Sequence, residues 1–177
     1  MMQSSIRAFK PEDLDDVVQI YAQSKLDELK FEEKAFRLLP LKEDNTRYSA
    51  LMESTIVVFE LGHQKIAGFG AYYEDGGVIE IRGLFVRPEA RGKGIGQQLL
   101  RHMLALEKSD YTEESTSINL TSKTTKPQTI MYRLYIATSN LPARNLYEKH
   151  GFRSIETFET DYNGQPVMAD RMEKLAG

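Results

Sequence analysis

Arg91-Gly92-Lys93-Gly94-Ile95-Gly96 sets three glycines and two cations within six residues. Glycine reaches left-handed backbone angles without steric cost, so such a turn can bring its N–H groups close to a ligand. A helix opening directly behind it adds the positive end of its dipole and further free N–H groups. That combination suits an anion, and phosphate best of all. Arg91 and Lys93 would reinforce it with charge-assisted bonds. The same turn could also be a plain strand-to-helix connection whose glycines only permit unusual dihedrals, and both readings stand at this point. The G-x-G-x-G spacing departs from the G-x-G-x-x-G of dinucleotide folds and from the G-x-x-x-x-G-K-[ST] of nucleotide triphosphate loops.

The elements that must hold this turn can be read from periodicity. Ser5-Ile6-Arg7-Ala8-Phe9 reads as a first strand, and Pro11 opens a helix with Leu14, Val17, Val18 and Tyr21 on one face. Residues 24–52 are amphipathic but interrupted by Pro40, which predicts helical pieces and a loop. Three strands follow, over 55–60, 65–73 and 78–86, joined by turns at Gly62-His63-Gln64 and Glu74-Asp75-Gly76-Gly77 into an antiparallel meander. A helix is predicted from Ile95 to about Lys108. Residues 109–128, rich in Ser, Thr and Lys, read as an exposed loop or irregular hairpin. A strand over 131–138, a helix from Pro142 to Lys149 and a hairpin turning at Asn163-Gly164 complete the chain. On strand 78–86, strict alternation puts Glu80 with Arg82 and Leu84, opposite Ile79, Ile81, Gly83 and Phe85.

Composition narrows the function. The 177 residues fit one domain, with 41% hydrophobic and 28% charged residues. There are no cysteines, which removes disulfides, thiol nucleophiles and thiolate metal sites. His63, His102 and His150 have no ligand-like spacing. A net charge of −3 argues against general nucleic-acid binding. No apolar run is long enough to span a bilayer, and the N-terminus lacks a signal-peptide apolar core. A cytoplasmic protein is expected.

Two segments together carry a family resemblance. Val86 to Gly96 is similar to the acetyl-CoA signature R/Q-x-x-G-x-G/A of the GNAT superfamily of N-acetyltransferases. Asn140-Leu141-Pro142-Ala143-Arg144-Asn145-Leu146-Tyr147-Glu148-Lys149-His150-Gly151-Phe152 resembles that family's N-x-x-A-x-x-L-Y-E-K-x-G-F motif. The order of elements suits the same family over nearly the whole chain. The resemblance implies one GNAT-like domain over 1–177, an α/β (α+β) fold whose central, mostly antiparallel sheet is flanked by helices.

It also implies acetyl-CoA as co-substrate and an amine of a small molecule or peptide as acceptor. The backbone of Arg91, Gly92, Lys93, Gly94, Ile95 and Gly96 would then cradle the pyrophosphate. Leu84, Phe85 and Val86 would pair with the pantetheine arm, and Asn140 and Asn145 could reach the pantetheine or the phosphates. Asn140 is the motif position; either asparagine could instead be a helix cap or a solvated side chain, and for Asn145 the two readings stand level. Tyr147 would protonate the leaving thiolate, unless it is a core tyrosine beside Leu146. Glu80 would serve as base, directly or through water, unless it only pairs with Arg82. Without cysteine an acetyl-cysteine route is closed, leaving direct attack in a ternary complex. Family habit favours a homodimer, with no nucleic-acid or membrane partner. A non-catalytic acyl-CoA sensor on the same fold stays open as the alternative.

Acceptor choice in the family rests on regions matching 24–52 and 157–169 here. The first mixes Asp27, Glu28, Glu32, Glu33, Glu43 and Asp44 with Lys25, Lys30, Lys34, Arg37, Lys42 and Arg47, as an ordinary solvated helical face would. Tyr72, Tyr73, Phe158 and Tyr162 could line an acceptor pocket or simply pack.

Overall fold

Pro11 has no N–H to leave unpaired and begins a short 3-10 turn, Pro11–Asp13, that runs straight into helix α1 (Leu14–Glu28). The Asp13 carboxylate accepts from the Lys10 N–H at 2.8 Å and from both terminal nitrogens of Arg7 at 2.8 and 3.0 Å, tying this entry to strand β1 (Ser4–Ala8). The computed structural model describes residues 3–62, 65–106 and 130–176. As the broken pattern of 24–52 predicts, α1 is followed by a loop, a 3-10 turn at Leu41–Glu43 and helix α2 (Asn45–Glu53), capped by Asp44 accepting from the Arg47 N–H at 3.0 Å.

β2 (Thr55–Leu61), β3 (Lys65–Asp75) and β4 (Val78–Val86) form the predicted meander, and β1 pairs on the outer side of β2. After the glycine turn, α3 (Ile95–Leu104) crosses back so that β5 (Met131–Ala137) lies parallel to β4. α4 (Leu141–Lys149) leads into the hairpin of β6 (Arg153–Tyr162) and β7 (Gln165–Leu175). Its tip has Asn163 and Gly164 both at positive φ, the geometry expected of a two-residue Asn-Gly turn. The sheet order is β1-β2-β3-β4-β5-β7-β6. α3 ends four residues short of Lys108, and the predicted loop over 109–128 lies outside the described residues, as do His63 and Gln64.

Each face of the sheet carries its own core. On one, α3 and α4 cover Ile79, Ile81, Tyr132, Leu134 and Met172, with Leu99, Leu100 and Met103 fully buried between them. A Cβ on Gly70 would stand 2.8 Å from the Met103 sulfur, so the glycine leaves room for the end of that α3 side chain. On the other face, Val17 and Ile20 of α1 and Leu51 of α2 pack on Val58, Phe69 and Phe85. The carboxylate of Asp170 on β7, 1% exposed, accepts from Arg144 of α4 and from Thr157 of β6 and fixes α4 to the sheet.

One sequence expectation is corrected. Ala71 pairs with Gly83 but Tyr72 pairs with Ile81, so Arg82 is an extra residue in β4. Such a bulge reverses the alternation beyond it. Glu80 and Arg82 face α2, yet Leu84 and Val86 pack on the α3 side with Ile79 and Ile81, while Phe85 joins the α1 core. Leu84 therefore does not share a face with Glu80, nor Phe85 with Ile81.

Candidate active site

Parallel pairing of β4 with β5 runs from Val78↔Met131 to Ile81↔Leu134 and stops there. From Arg82 to Val86, β4 keeps β3 on one side and, among the described residues, has no strand on the other. The gap opens into a cleft of about 550 Å³, within the range of small-molecule sites. Its walls are the last turn of α1, β4 from Ile81 to Val86, the glycine turn with the start of α3, β5 from Leu134 to Ile136, and α4.

The glycine turn forms one end. Gly92 and Gly94 have φ of +75° and +76°, and a Cβ on either would meet nothing within 4 Å. Glycine is needed here for the backbone angle, and the space before it is open. Gly94 caps α3, whose first N–H groups have no partner within the helix and face the cleft beside Val86. Arg91 spans the mouth: its Nε donates to the Val86 carbonyl at 3.0 Å and a terminal nitrogen to the Asp27 carboxylate of α1 at 2.6 Å. Leu84, Phe85, Val86, Arg91, Gly92, Gly94, Ile95, Gly96 and Asn140 are brought together on the wall; Lys93 stays exposed outside it.

The other motif lies across the gap. Asn140 is buried and is the N-cap of α4, its Oδ1 accepting from the Ala143 N–H at 3.4 Å, while Asn145 is exposed and does not reach the cleft. Tyr147 is buried, edge-on to Phe152 with ring centroids 5.6 Å apart, and lines the cleft. Burial raises its phenol pKa, the Glu28 carboxylate raises it further, and the Lys25 ammonium works against both. Glu80 is not on the wall. Its Oε1 accepts from the Arg82 Nε at 3.1 Å, and Arg82 also donates to the Ala50 carbonyl and stacks over Tyr73.

Sequence reasoning assigned 24–52 to acceptor choice without singling out which residues of α1 reach the ligand space. Ser24, Lys25, Asp27 and Glu28 all line the cleft. Lys25 and Glu28 pair at 3.0 Å, and the Lys25 ammonium sits 5.2 Å from the ring centre of Tyr162 at the end of β6. Burial alone would lower the lysine pKa, but Glu28 and the phenols of Tyr162 and Tyr21 outweigh it and leave it raised. The available signal was spacing: Ser24 continues the buried stripe of Val17, Ile20 and Tyr21, and Lys25 and Glu28 stand at i,i+3 beside it. Above them the β6–β7 tip is clasped to the α1–α2 loop, where the Gln165 amide accepts from the Arg37 N–H and donates to the Arg37 carbonyl.

An extended ligand with a phosphate at one end and amides along its length fits this shape. Its far end would stop between Tyr147 and the charged end of α1. Among the described residues no group of three potential metal ligands occurs, and no helix is long and apolar enough to cross a membrane.

Comparison with known proteins identifies the family and the fold. Residues 52–154 match a family model described as an acetyltransferase (GNAT) domain. The fold is similar to that of the ribosomal-protein-S18-alanine N-acetyltransferase from Escherichia coli, at 17% identity and a TM-score of 0.66 over 99% of this chain and 95% of that one. It is similar to spermidine N-acetyltransferase from Vibrio cholerae, solved with CoA and spermine, at 20% identity and a TM-score of 0.61, covering 98% and 96%. It is also similar to yncA, a putative acetyltransferase from Salmonella typhimurium solved with acetyl-CoA, at 14% identity and a TM-score of 0.64, covering 99% and 95%. No curated protein sequence matches.

Proposed function

The chain belongs to the GNAT acetyltransferase family, and on that premise we propose that it is an N-acetyltransferase that moves acetyl from acetyl-CoA to a primary amine of a small molecule or peptide. One observation carries this reading: an open β-edge, an anion-suited helix start and a buried tyrosine share one cleft. Acetyl-CoA, when bound, supplies an acetyl group activated as a thioester. The first turn of α3 and the N–H groups of 92–96 hold its phosphates, and the free edge of 84–86 takes up its amides and offers an N–H to polarise the acyl oxygen. Tyr147 stays protonated through the neutral range because burial opposes the phenolate. It releases that proton only as negative charge builds on the leaving sulfur, and the Lys25 ammonium nearby eases the phenolate so formed.

The test is calorimetric titration with acetyl-CoA, followed by free-thiol release across a panel of amines that includes spermidine and an alanine-initiated peptide. Micromolar binding and amine-dependent thiol release are expected. Tyr147→Phe is expected to lower turnover by about 10²-fold while leaving acetyl-CoA affinity within about threefold. Binding without release to any amine would establish the sensor alternative instead.

A further inference from the structure

The reaction needs a group that removes a proton from the acceptor ammonium, since a protonated amine has no lone pair to attack with. Glu80 does not line the cleft. Among the described residues two carboxylates lie on the cleft wall, and of these Asp27 is bound to Arg91 at the phosphate end. Glu28 is the other. Like Tyr147 it lines the cleft, and its side chain is 32% exposed, so it touches both the cleft and water.

We propose that Glu28, at the last turn of α1, is the residue that takes the acceptor's proton. This rests on the acetyltransferase reading given above. Glu28 accepts one proton from the ammonium and hands it to solvent. The freed nitrogen forms the amide C–N bond as the acetyl C–S bond breaks. Tyr147 gives its proton to the sulfur and recovers one from the nitrogen, so that one proton in total leaves for solvent. The groups facing Glu28 fit this work. Lys25 on the same helix holds its carboxylate at 3.0 Å, the Tyr162 ring at the end of β6 lies against Lys25, and Tyr147 of α4 lines the same cleft.

The experiment compares wild type, Glu28→Gln and Glu80→Gln with the best acceptor of the amine panel. The amide of Glu28→Gln still accepts from Lys25, and acetyl-CoA affinity in each variant reports whether the cleft has kept its shape. Expected is a fall in kcat/KM of about 100-fold in Glu28→Gln, with the acidic limb of its pH profile reduced to the titration of the amine alone. Calorimetric binding of the acceptor to the CoA complex is expected to persist in that variant. A larger loss in Glu80→Gln than in Glu28→Gln, or an unchanged profile in Glu28→Gln, overturns the assignment and leaves the acetyltransferase reading intact. Absence of turnover by wild type with every amine, despite acetyl-CoA binding, overturns both.

Discussion

Gly94 and Gly96 lie two residues apart at the start of α3, and adding the same methyl group to each should have opposite effects. At Gly94 a Cβ meets nothing within 4 Å, so crowding contributes no cost, but its φ of +76° is one that an L-residue adopts at about 1–2 kcal/mol. Gly96 has an ordinary helical angle, and its Cβ would rest 3.8 Å from the Val86 side chain, a normal contact. Replacing glycine by alanine inside a helix gains at most about 1 kcal/mol, less in a first turn. Gly94→Ala and Gly96→Ala should therefore differ by about 2 kcal/mol. For a chain of this size that corresponds to roughly 4–8 °C in melting temperature, with Gly94→Ala the lower. Thermal denaturation of both variants beside wild type reads this directly. Acetyl-CoA titration of Gly94→Ala should show at least tenfold weaker binding, because relieving the strain turns the N–H groups away from the phosphate. Melting temperatures within about 1 °C of each other would refute the claim that the turn is glycine for its backbone angle.

Two further predictions concern the frame. Asp170→Asn removes the buried partner of Arg144, and breaking such a pair costs about 3–5 kcal/mol; because the Arg144 side chain is 24% exposed and can turn toward water, about 3 kcal/mol is expected in urea denaturation, and a loss under 1 kcal/mol would contradict the anchoring role. The Arg7 guanidinium, bonded at two nitrogens, holds the Asp13 carboxyl below the usual carboxylate range. Since its folded pKa is depressed, its contribution is present above the unfolded value of about 3.9 and disappears as pH falls through the folded value. The urea midpoint of wild type should therefore drop more between pH 5 and pH 2.5 than that of Asp13→Asn, and equal drops would show that Asp13 is not linked to folding.

Much of the frame was legible because it depends on local chemistry. Pro11, the Gly76-Gly77 turn, the Asn163-Gly164 turn and the apolar stripe of α3 each identify their element without tertiary information. The bulge at Arg82 was not legible, because it depends on pairing with β3 and leaves no mark in β4 itself. Asn140 matched a motif, yet its side chain caps α4, a role the same residue fills equally well. Glu80 was singled out by position along a strand, whereas reaching the cleft depends on which element covers that face, here α2 with Ala50. Lys25 and Glu28 were hidden by composition. Acids and bases alternate through 24–52, and only the folded chain shows that Lys25, Asp27, Glu28 and Lys30 line the cleft.

The sheet has two outer edges, at β1 and β6, and a third inside it where β4 leaves β5. Unpaired backbone of this kind is ordinarily a hazard, since any passing strand can add to it and begin aggregation. An added polypeptide strand, however, carries side chains on both faces at every second residue and needs room above and below the sheet. Beside residues 82–86 α1 lies on one face and the start of α3 on the other. A slender chain that carries amides meets less obstruction there than a strand does. Helices on both faces thus cover this internal edge, one of the ways in which sheets are kept from pairing edge to edge.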